Sequence, residues 1–271
     1  MKREFSLAHL TALGCSPPEM VYIAAMAGYQ YVGLRPIYMG LPGEPNYALA
    51  QLPEMLGLTK VALEETGIGL HDIELARIID GVDLQRYESA FEASAMLGAK
   101  HVISSIWTSN KPYYIEKFGE LCELAAQYGM TVNLEFVTWA EVKNLKDARE
   151  VLQAVNCRNA GVLIDTLHAH RSHVTPQEVA NLPKNWLNMV HLCDGPAEIP
   201  TDRESLIFTG REARNYVGEG AIDIAAYLAM LPQTVVLSLE IPNLARVKAY
   251  GYAEHARRCL VTTKEYVVRR T

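Results

Sequence analysis

The chain has 271 residues, of which 49% are hydrophobic and 21% charged, and these are the proportions of an ordinary globular protein. Its formal net charge of −6 argues against a nucleic-acid partner and against binding to an anionic membrane surface. No apolar stretch approaches the roughly 18 residues that a membrane-spanning helix needs. The five cysteines are scattered and form no CxxC pair, so we expect a reducing, cytoplasmic location. A homo-oligomer is compatible with this composition.

Strand-like and helix-like segments alternate along the whole chain. We predict eight short apolar strands, at residues 5–10, 31–35, 69–75, 101–106, 131–135, 161–165, 188–191 and 235–240. We predict a helix after each strand, at residues 17–28, 52–66, 84–97, 112–128, 144–154, 176–181, 222–231 and 252–268. The longest connections, 36–51 and 194–221, both follow strands.

This alternation predicts an α/β protein with a parallel sheet covered by helices. Eight strand–helix pairs allow the sheet to close, so we expect a (β/α)8 TIM barrel that forms a single domain over residues 1–271. A doubly wound open sheet is the rival fold, but neither GxGxxG nor GxxxxGK[ST] occurs in the sequence.

The last four predicted strands each end on a residue that can bind a metal ion. These residues are Glu135, Asp165, His191 and Glu240, and we call them the ligand set. In a barrel, the C-terminal ends of parallel strands meet around one axis, so the four side chains would converge. Three carboxylates with one imidazole suit a single divalent ion. Mn²⁺ or Mg²⁺ is favoured, with Co²⁺ and Zn²⁺ as alternatives.

The same segments resemble the xylose isomerase-like TIM barrels, a family of sugar phosphate isomerases and epimerases. The resemblance is strongest in Asn133-Leu-Glu135-Phe, Leu163-Ile-Asp165-Thr-Leu-His168, Val190-His191-Leu-Cys-Asp194, Gly218-Glu-Gly220 and Ser238-Leu-Glu240-Ile-Pro242. It implies that the ligand set binds one divalent metal and that Glu135 and Glu240 also act on the substrate as acid and base.

Acid–base chemistry by two carboxylates is sensible on general grounds. Moving a carbonyl along a sugar, or inverting the carbon beside it, requires removal of a proton α to that carbonyl. The resulting enediolate carries negative charge on two adjacent oxygens, which a divalent ion stabilises as a Lewis acid. Two carboxylates can then remove and return the proton. We therefore expect a metal-dependent isomerase or epimerase of a sugar or sugar-derived hydroxy-ketone.

Five further residues are candidates for substrate binding. His168 and Glu141 match positions of the family's motifs. Arg214 and Arg171 could hold an anionic group of the substrate. Glu74 lies near the end of the third predicted strand. The polar run around His170, Arg171 and His173 is interpreted as a solvated loop. Ala197 occupies the place of a substrate-binding Arg in ketose 3-epimerases, which weakens the case for a simple ketohexose substrate.

Three other functions are weighed against this expectation. A metal-dependent dehydratase of an inosose or a dehydroshikimate-like compound begins with the same proton abstraction, so the ligand set does not separate it from an isomerase. A nuclease of the abasic-site type would need three zinc ions, additional histidine ligands and a basic groove, which the sequence lacks. A binding protein without turnover is the fourth interpretation.

Overall fold

Eight parallel strands close into a barrel in a computed structural model that describes residues 3–40 and 44–270. The strands are β1 (Phe5–Leu7), β2 (Tyr31–Leu34), β3 (Gly69–Ile78), β4 (His101–Ile106), β5 (Thr131–Glu135), β6 (Ala160–Asp165), β7 (Leu187–Leu192) and β8 (Leu237–Leu239). Each strand pairs with the next in the sequence, and β8 pairs with β1, so the barrel has no open edge. The predicted TIM barrel is confirmed.

Helices cover the outside of the barrel. They are α1 (Pro17–Ala27), α2 (Pro53–Thr66), α3 (Glu88–Met96), α4 (Lys111–Gln127), α5 (Leu145–Val155), α6 (Thr166–Arg171), α7 (Pro176–Ala180), α8 (Arg203–Glu212), α9 (Ile224–Met230) and α10 (Leu244–Arg270). Helix α10 contains a break at Gly251, where φ is 75° and ψ is 164°. In the described part of the chain, no helix combines the length and apolar content needed to cross a bilayer.

The predicted elements differ from the observed ones mainly at their ends. The first strand stops at Leu7 because His9–Ala12 forms a 3-10 turn, and β3 continues to Ile78, three residues past its predicted end. Two helices, α6 and α8, lie in segments that we predicted to be loops. The predicted connection 36–51 includes residues 41–43, which lie outside the described residues.

Strand alternation determines which side chains enter the barrel. Residues two apart on a strand face the same side, so Glu135 shares its face with Asn133, and Asp165 shares its face with Leu163 and Gly161. Asn133 and Gly161 pack closely, because a Cβ atom on Gly161 would lie 2.5 Å from the Asn133 Oδ1 atom. Any larger residue at position 161 would force Asn133 to move. The inward faces therefore place functional side chains at the C-terminal ends of the strands and packing residues below them.

Candidate metal centre and active site

The structure brings the ligand set together at the C-terminal end of the barrel. One potential ligand atom from each of Glu135, Asp165, His191 and Glu240 lies within 4.8 Å of those of the other three. All four side chains are buried. Asp165 and His191 are directly paired across β6 and β7, and the Glu240 N–H donates to the Leu192 carbonyl at 3.2 Å. Strand register thus fixes the positions from which these side chains converge.

The members of the ligand set differ in their hydrogen-bond and ion-pair partners. Asp165 Oδ1 accepts from the backbone N–H groups of Leu167 (2.7 Å) and His168 (3.1 Å), so this carboxylate also caps the start of α6. His191 Nδ1 lies 3.3 Å from Glu240 Oε1. The Glu135 carboxylate makes no hydrogen bond or ion pair with any described residue.

Arg214 lies between two of the proposed ligands. Its Nη1 atom is 2.6 Å from Asp165 Oδ2, and its Nη2 atom is 2.7 Å from Glu240 Oε2. The guanidinium is held in place because Nε donates to the carbonyl of Gly210 at 2.8 Å and the side chain is buried. We predicted Arg214 as a substrate-binding residue, and the structure places it against the ligand set as a fixed countercharge.

The two glutamates have opposite protonation tendencies in this arrangement. Burial and the neighbouring charge of Glu240 raise the pKa of Glu135 well above its usual range. Burial alone would raise the pKa of Glu240, but His191 and Arg214 hold it well below its usual range. For His191 the effects are reversed: burial alone would lower its pKa, but the negative charges of Glu240 and Glu135 raise it above its usual range. Without a cation, Glu135 therefore tends to hold a proton while Glu240 stays ionised.

The residues fit a divalent cation. The ring nitrogens of His191 are buried: Nε2 has no hydrogen-bond partner among the described residues, and Nδ1 faces only the Glu240 carboxylate at 3.3 Å. A histidine with such free nitrogens can act as a metal ligand. Three carboxylates face one imidazole and one guanidinium, and this oxygen-rich set without thiolates matches the preferences of Mn²⁺, Mg²⁺ or Zn²⁺. A bound dication would favour the deprotonated forms of all four ligands.

His168 lies beside the ligand set with a defined tautomer. Its Nδ1 atom accepts from the backbone N–H of Thr138 at 3.4 Å and lies 3.2 Å from the Thr138 hydroxyl, so Nε2 carries the hydrogen. Trp139 packs edge-on against the imidazole at a centroid distance of 4.9 Å. Burial lowers the pKa of His168 to about 4, so the ring is neutral at pH 7 and can donate one hydrogen bond.

The other predicted substrate-binding residues have different environments. Glu74 lies within β3 rather than at its end and is ion-paired with Arg35 at 3.2 Å. Glu141 is exposed on a bend and makes no side-chain hydrogen bond or ion pair with described residues, while its backbone N–H donates to the Ile106 carbonyl at the end of β4 at 3.1 Å. Arg171 is buried at the end of α6, and the interpretation of its segment as a solvated loop was wrong.

Two buried carboxylates near the site, Asp194 and Asp72, were given no role from the sequence. Asp194 accepts backbone hydrogen bonds from Gly195 (2.8 Å), Gly218 (3.0 Å) and Ile222 (3.1 Å), and so fixes the turn that follows Arg214. Asp72 is buried on β3, and burial raises its pKa to about 7 although His191 opposes this. The motif Val190-His191-Leu-Cys-Asp194 offered a signal for the first, whereas Asp72 lies mid-strand and offered none.

The chain belongs to the xylose isomerase-like TIM barrel family, whose model matches residues 21–261. This match covers most of the chain and includes the whole ligand set.

Several proteins of known description are similar to this chain. The inosose isomerase of Bacillus licheniformis is 25% identical over 195 residues, which cover 68% of this chain and 67% of that protein. The 3-dehydroshikimate dehydratase of Pseudomonas aeruginosa is 24% identical over 172 residues, covering 60% of this chain and 26% of that protein.

Solved structures share the fold at lower identity. The zinc-bound IolI protein has a TM-score of 0.81 at 20% identity, covering 99% of both chains. D-Allulose 3-epimerase from Methylomonas sp. has a TM-score of 0.70 at 18% identity and covers 100% of this chain and 98% of that one.

Proposed function

We propose that this protein is a divalent-metal-dependent isomerase or epimerase of a sugar or polyol-derived hydroxy-ketone. The observation that supports this most directly is the convergence of four buried ligand atoms within 4.8 Å at the functional end of the barrel. Similarity to inosose isomerases agrees with a cyclic hydroxy-ketone as the substrate class.

The ligand set would hold the ion. When bound, the ion supplies Lewis-acid stabilisation of the negative charge that develops on two neighbouring substrate oxygens. We favour Mn²⁺ or Mg²⁺ because most donors are carboxylate oxygens, with Co²⁺ and Zn²⁺ as alternatives.

Glu135 and Glu240 are the proposed acid and base. They lie on or just after β5 and β8, three strand positions apart around the barrel, so a substrate between them would present different sides to the two carboxylates. Glu135, which has no competing partner among the described residues, is the better placed to remove the proton from carbon. Glu240 is oriented by Arg214 and His191 and would hold or return a proton. Return to the opposite face gives epimerisation, and return at the neighbouring carbon gives isomerisation.

The neutral His168 is the proposed substrate-orienting donor. Because Thr138 fixes its Nδ1 atom as an acceptor, the Nε2–H group can donate to a substrate hydroxyl or carbonyl oxygen. Its neutrality avoids adding another positive charge beside Arg214.

A dehydratase is the second candidate, favoured by the similarity to 3-dehydroshikimate dehydratase. The same abstraction of an α-proton would be followed by loss of a β-hydroxyl group as water, with a protonated carboxylic acid of the site donating the proton that leaves with it. Five free cysteines agree with a cytoplasmic location for either enzyme. Either enzyme would act as a single domain on a small carbohydrate.

Assays of the purified protein against a substrate panel test the proposal. The protein is stripped with chelator, reloaded with Mn²⁺, Mg²⁺, Co²⁺ or Zn²⁺, and incubated with ketoses, aldoses, inososes and dehydroshikimate. We expect metal-dependent conversion of a hydroxy-ketone to a product of the same mass. A product that has lost water would assign the dehydratase instead, and turnover that chelation leaves unchanged would contradict both.

A further inference from the structure

A cavity of about 280 Å³ opens at the same end of the barrel as the ligand set. We call it the anion cavity; it is lined by Thr138, Lys143, Asn144, Arg171, Ser172, Ile199, Pro200 and Leu206. These residues come from the segments that follow β5, β6 and β7. Thr138 also contacts the imidazole of His168, so the anion cavity shares a wall with the candidate active site.

Arg171 is a buried cation with incomplete hydrogen bonding. Arg171 is only 6% exposed, and its Nη1 atom donates to the Leu206 carbonyl at 3.0 Å. Its Nη2 atom is buried and has no partner, and within the described residues no carboxylate lies close enough to form an ion pair with it. Burying a charged donor without a partner is costly, and an oxyanion bound beside it would remove that cost.

The remaining lining residues favour an anion as well. Lys143 adds a second positive charge at the exposed rim, and none of the eight lining residues is acidic. Asn144 is already engaged in capping α5, where its Oδ1 atom accepts from the Asp147 N–H at 3.0 Å. A site with two cations and no lining carboxylate matches a carboxylate or phosphate group.

Helix α6 connects this cavity with the reaction site. His168 and Arg171 are three residues apart on α6, so they share one helix face with a rise of about 4.5 Å between them. We propose that the anion cavity is a substrate subsite, which holds a carboxylate or phosphate of a substrate whose hydroxy-ketone end lies at the ligand set. This inference rests on the proposed function, which leaves the charge of the substrate open.

Direct anion binding tests the subsite independently of turnover. Binding of inorganic phosphate and of malonate to the Mn²⁺-loaded protein is measured by titration calorimetry for wild type, Arg171→Met, Arg171→Lys and Lys143→Met. We expect Arg171→Met to weaken binding about tenfold to a hundredfold, the effect of one charge-assisted hydrogen bond, and Arg171→Lys to restore part of it. The relative affinities of phosphate and malonate identify the favoured oxyanion.

Lys146 provides the matched control, because it is an exposed lysine three residues beyond Lys143 and does not line the cavity. Lys146→Met should bind both anions like the wild type. Wild-type affinity in Arg171→Met, or equal losses in Lys143→Met and Lys146→Met, would overturn the subsite. Circular dichroism of each variant establishes that it is folded.

Paired substrates separate this inference from the proposed function. We expect Arg171→Met to reduce kcat/KM about tenfold to a hundredfold more for an anionic hydroxy-ketone than for its neutral analogue. If anion binding depends on Arg171 but no hydroxy-ketone is converted, the proposed function is wrong, while Arg171 still marks an anion-binding site. If Arg171→Met converts both the anionic and the neutral substrate as efficiently as wild type does, the proposed function stands and the subsite is wrong.

Discussion

Arg214 illustrates how a single residue joins the metal centre to the fold. Its guanidinium bridges Asp165 and Glu240, two carboxylates that are 75 positions apart in the sequence, and Gly210 holds its Nε atom. The sequence predicted roles for Arg214, Asp165 and Glu240, because the carboxylates end apolar strands and an arginine in the long connection could hold an anionic group. It gave no information on the bridge, which depends on the path of the long connection after β7.

Replacement of Arg214 should change the dependence of stability on metal. In Arg214→Met, the metal-free protein has two buried carboxylates without their partner, so we expect it to lose roughly 3–5 kcal/mol of unfolding free energy. Added Mn²⁺ should then stabilise the variant more than the wild type. Thermal unfolding with and without Mn²⁺ measures both effects.

The exposed Arg257, which pairs with Glu254, is the control for this prediction. Arg257→Met should unfold like the wild type in both conditions. A metal-free Arg214→Met protein as stable as wild type would contradict the assigned role of the guanidinium.

At the scale of elements, α6 and α8 are the two that sequence patterns did not predict. The only long apolar side chains of α8 are Leu206, Ile207 and Phe208, which are consecutive and therefore lack helical spacing. Its start has an N-cap signal, since Asp202 accepts from the Ser205 N–H at 2.7 Å. Helix α6 is too short for a periodic pattern, and its polar sequence is buried by the surrounding loops rather than exposed to solvent.

Helix α8 contacts the candidate active site through a glycine. A Cβ atom on Gly210 would lie 2.4 Å from the Trp139 ring, and that ring packs against His168. We expect Gly210→Ala to displace Trp139 and His168 and to lower kcat/KM about tenfold or more, since small misplacements of orienting groups are costly. Steady-state kinetics on the converted hydroxy-ketone measure the effect.

Gly57 in α2 is a matched helical glycine with no atom within 4 Å of its Cβ position. Gly57→Ala should keep wild-type activity and raise the unfolding free energy by about 1 kcal/mol through helix propensity. Equal activity of Gly210→Ala and wild type would contradict the role of α8 in positioning Trp139.

For the whole molecule, the alternation of strands and helices was sufficient to predict a closed barrel, because eight short apolar strands separated by helices have few other parallel arrangements. The burial of polar groups was harder to predict from the sequence. His9, His71 and His101 are spread over three strand regions, yet burial lowers their pKa values to about 4, about 3 and about 4. Such burial follows from tertiary packing and has no local sequence signal.

The buried histidines make stability depend on pH. The folded state keeps His9 neutral, since its Nδ1 atom accepts from the Arg35 N–H at 2.8 Å, while the unfolded state binds a proton below pH about 6.5. Between pH 6.5 and about 4 the unfolded state therefore holds more protons, and the unfolding free energy falls as the pH is lowered. His9 contributes up to roughly 3 kcal/mol of this fall.

We expect His9→Asn to show a shallower decline than wild type when urea unfolding is measured at pH 8, 6.5 and 5. His173 is an exposed histidine with a positive φ of 57°, which asparagine tolerates, so His173→Asn serves as the control and should keep the wild-type slope. Parallel slopes for His9→Asn and wild type would show that His9 does not titrate as its burial requires.

Solvent deuterium exchange into the substrate tests the central claim, that Glu135 and Glu240 move a proton at a divalent metal centre. With Mn²⁺-loaded protein in D₂O and an inosose or ketose substrate, wild type should introduce deuterium at the carbon beside the carbonyl, and chelation should abolish the exchange. Glu135→Gln and Glu240→Gln, with metal content measured, should each slow exchange about 10²–10⁴-fold, whereas the exposed Glu64→Gln variant should exchange like wild type. Exchange at the wild-type rate in the metal-loaded Glu135→Gln and Glu240→Gln proteins would contradict the account.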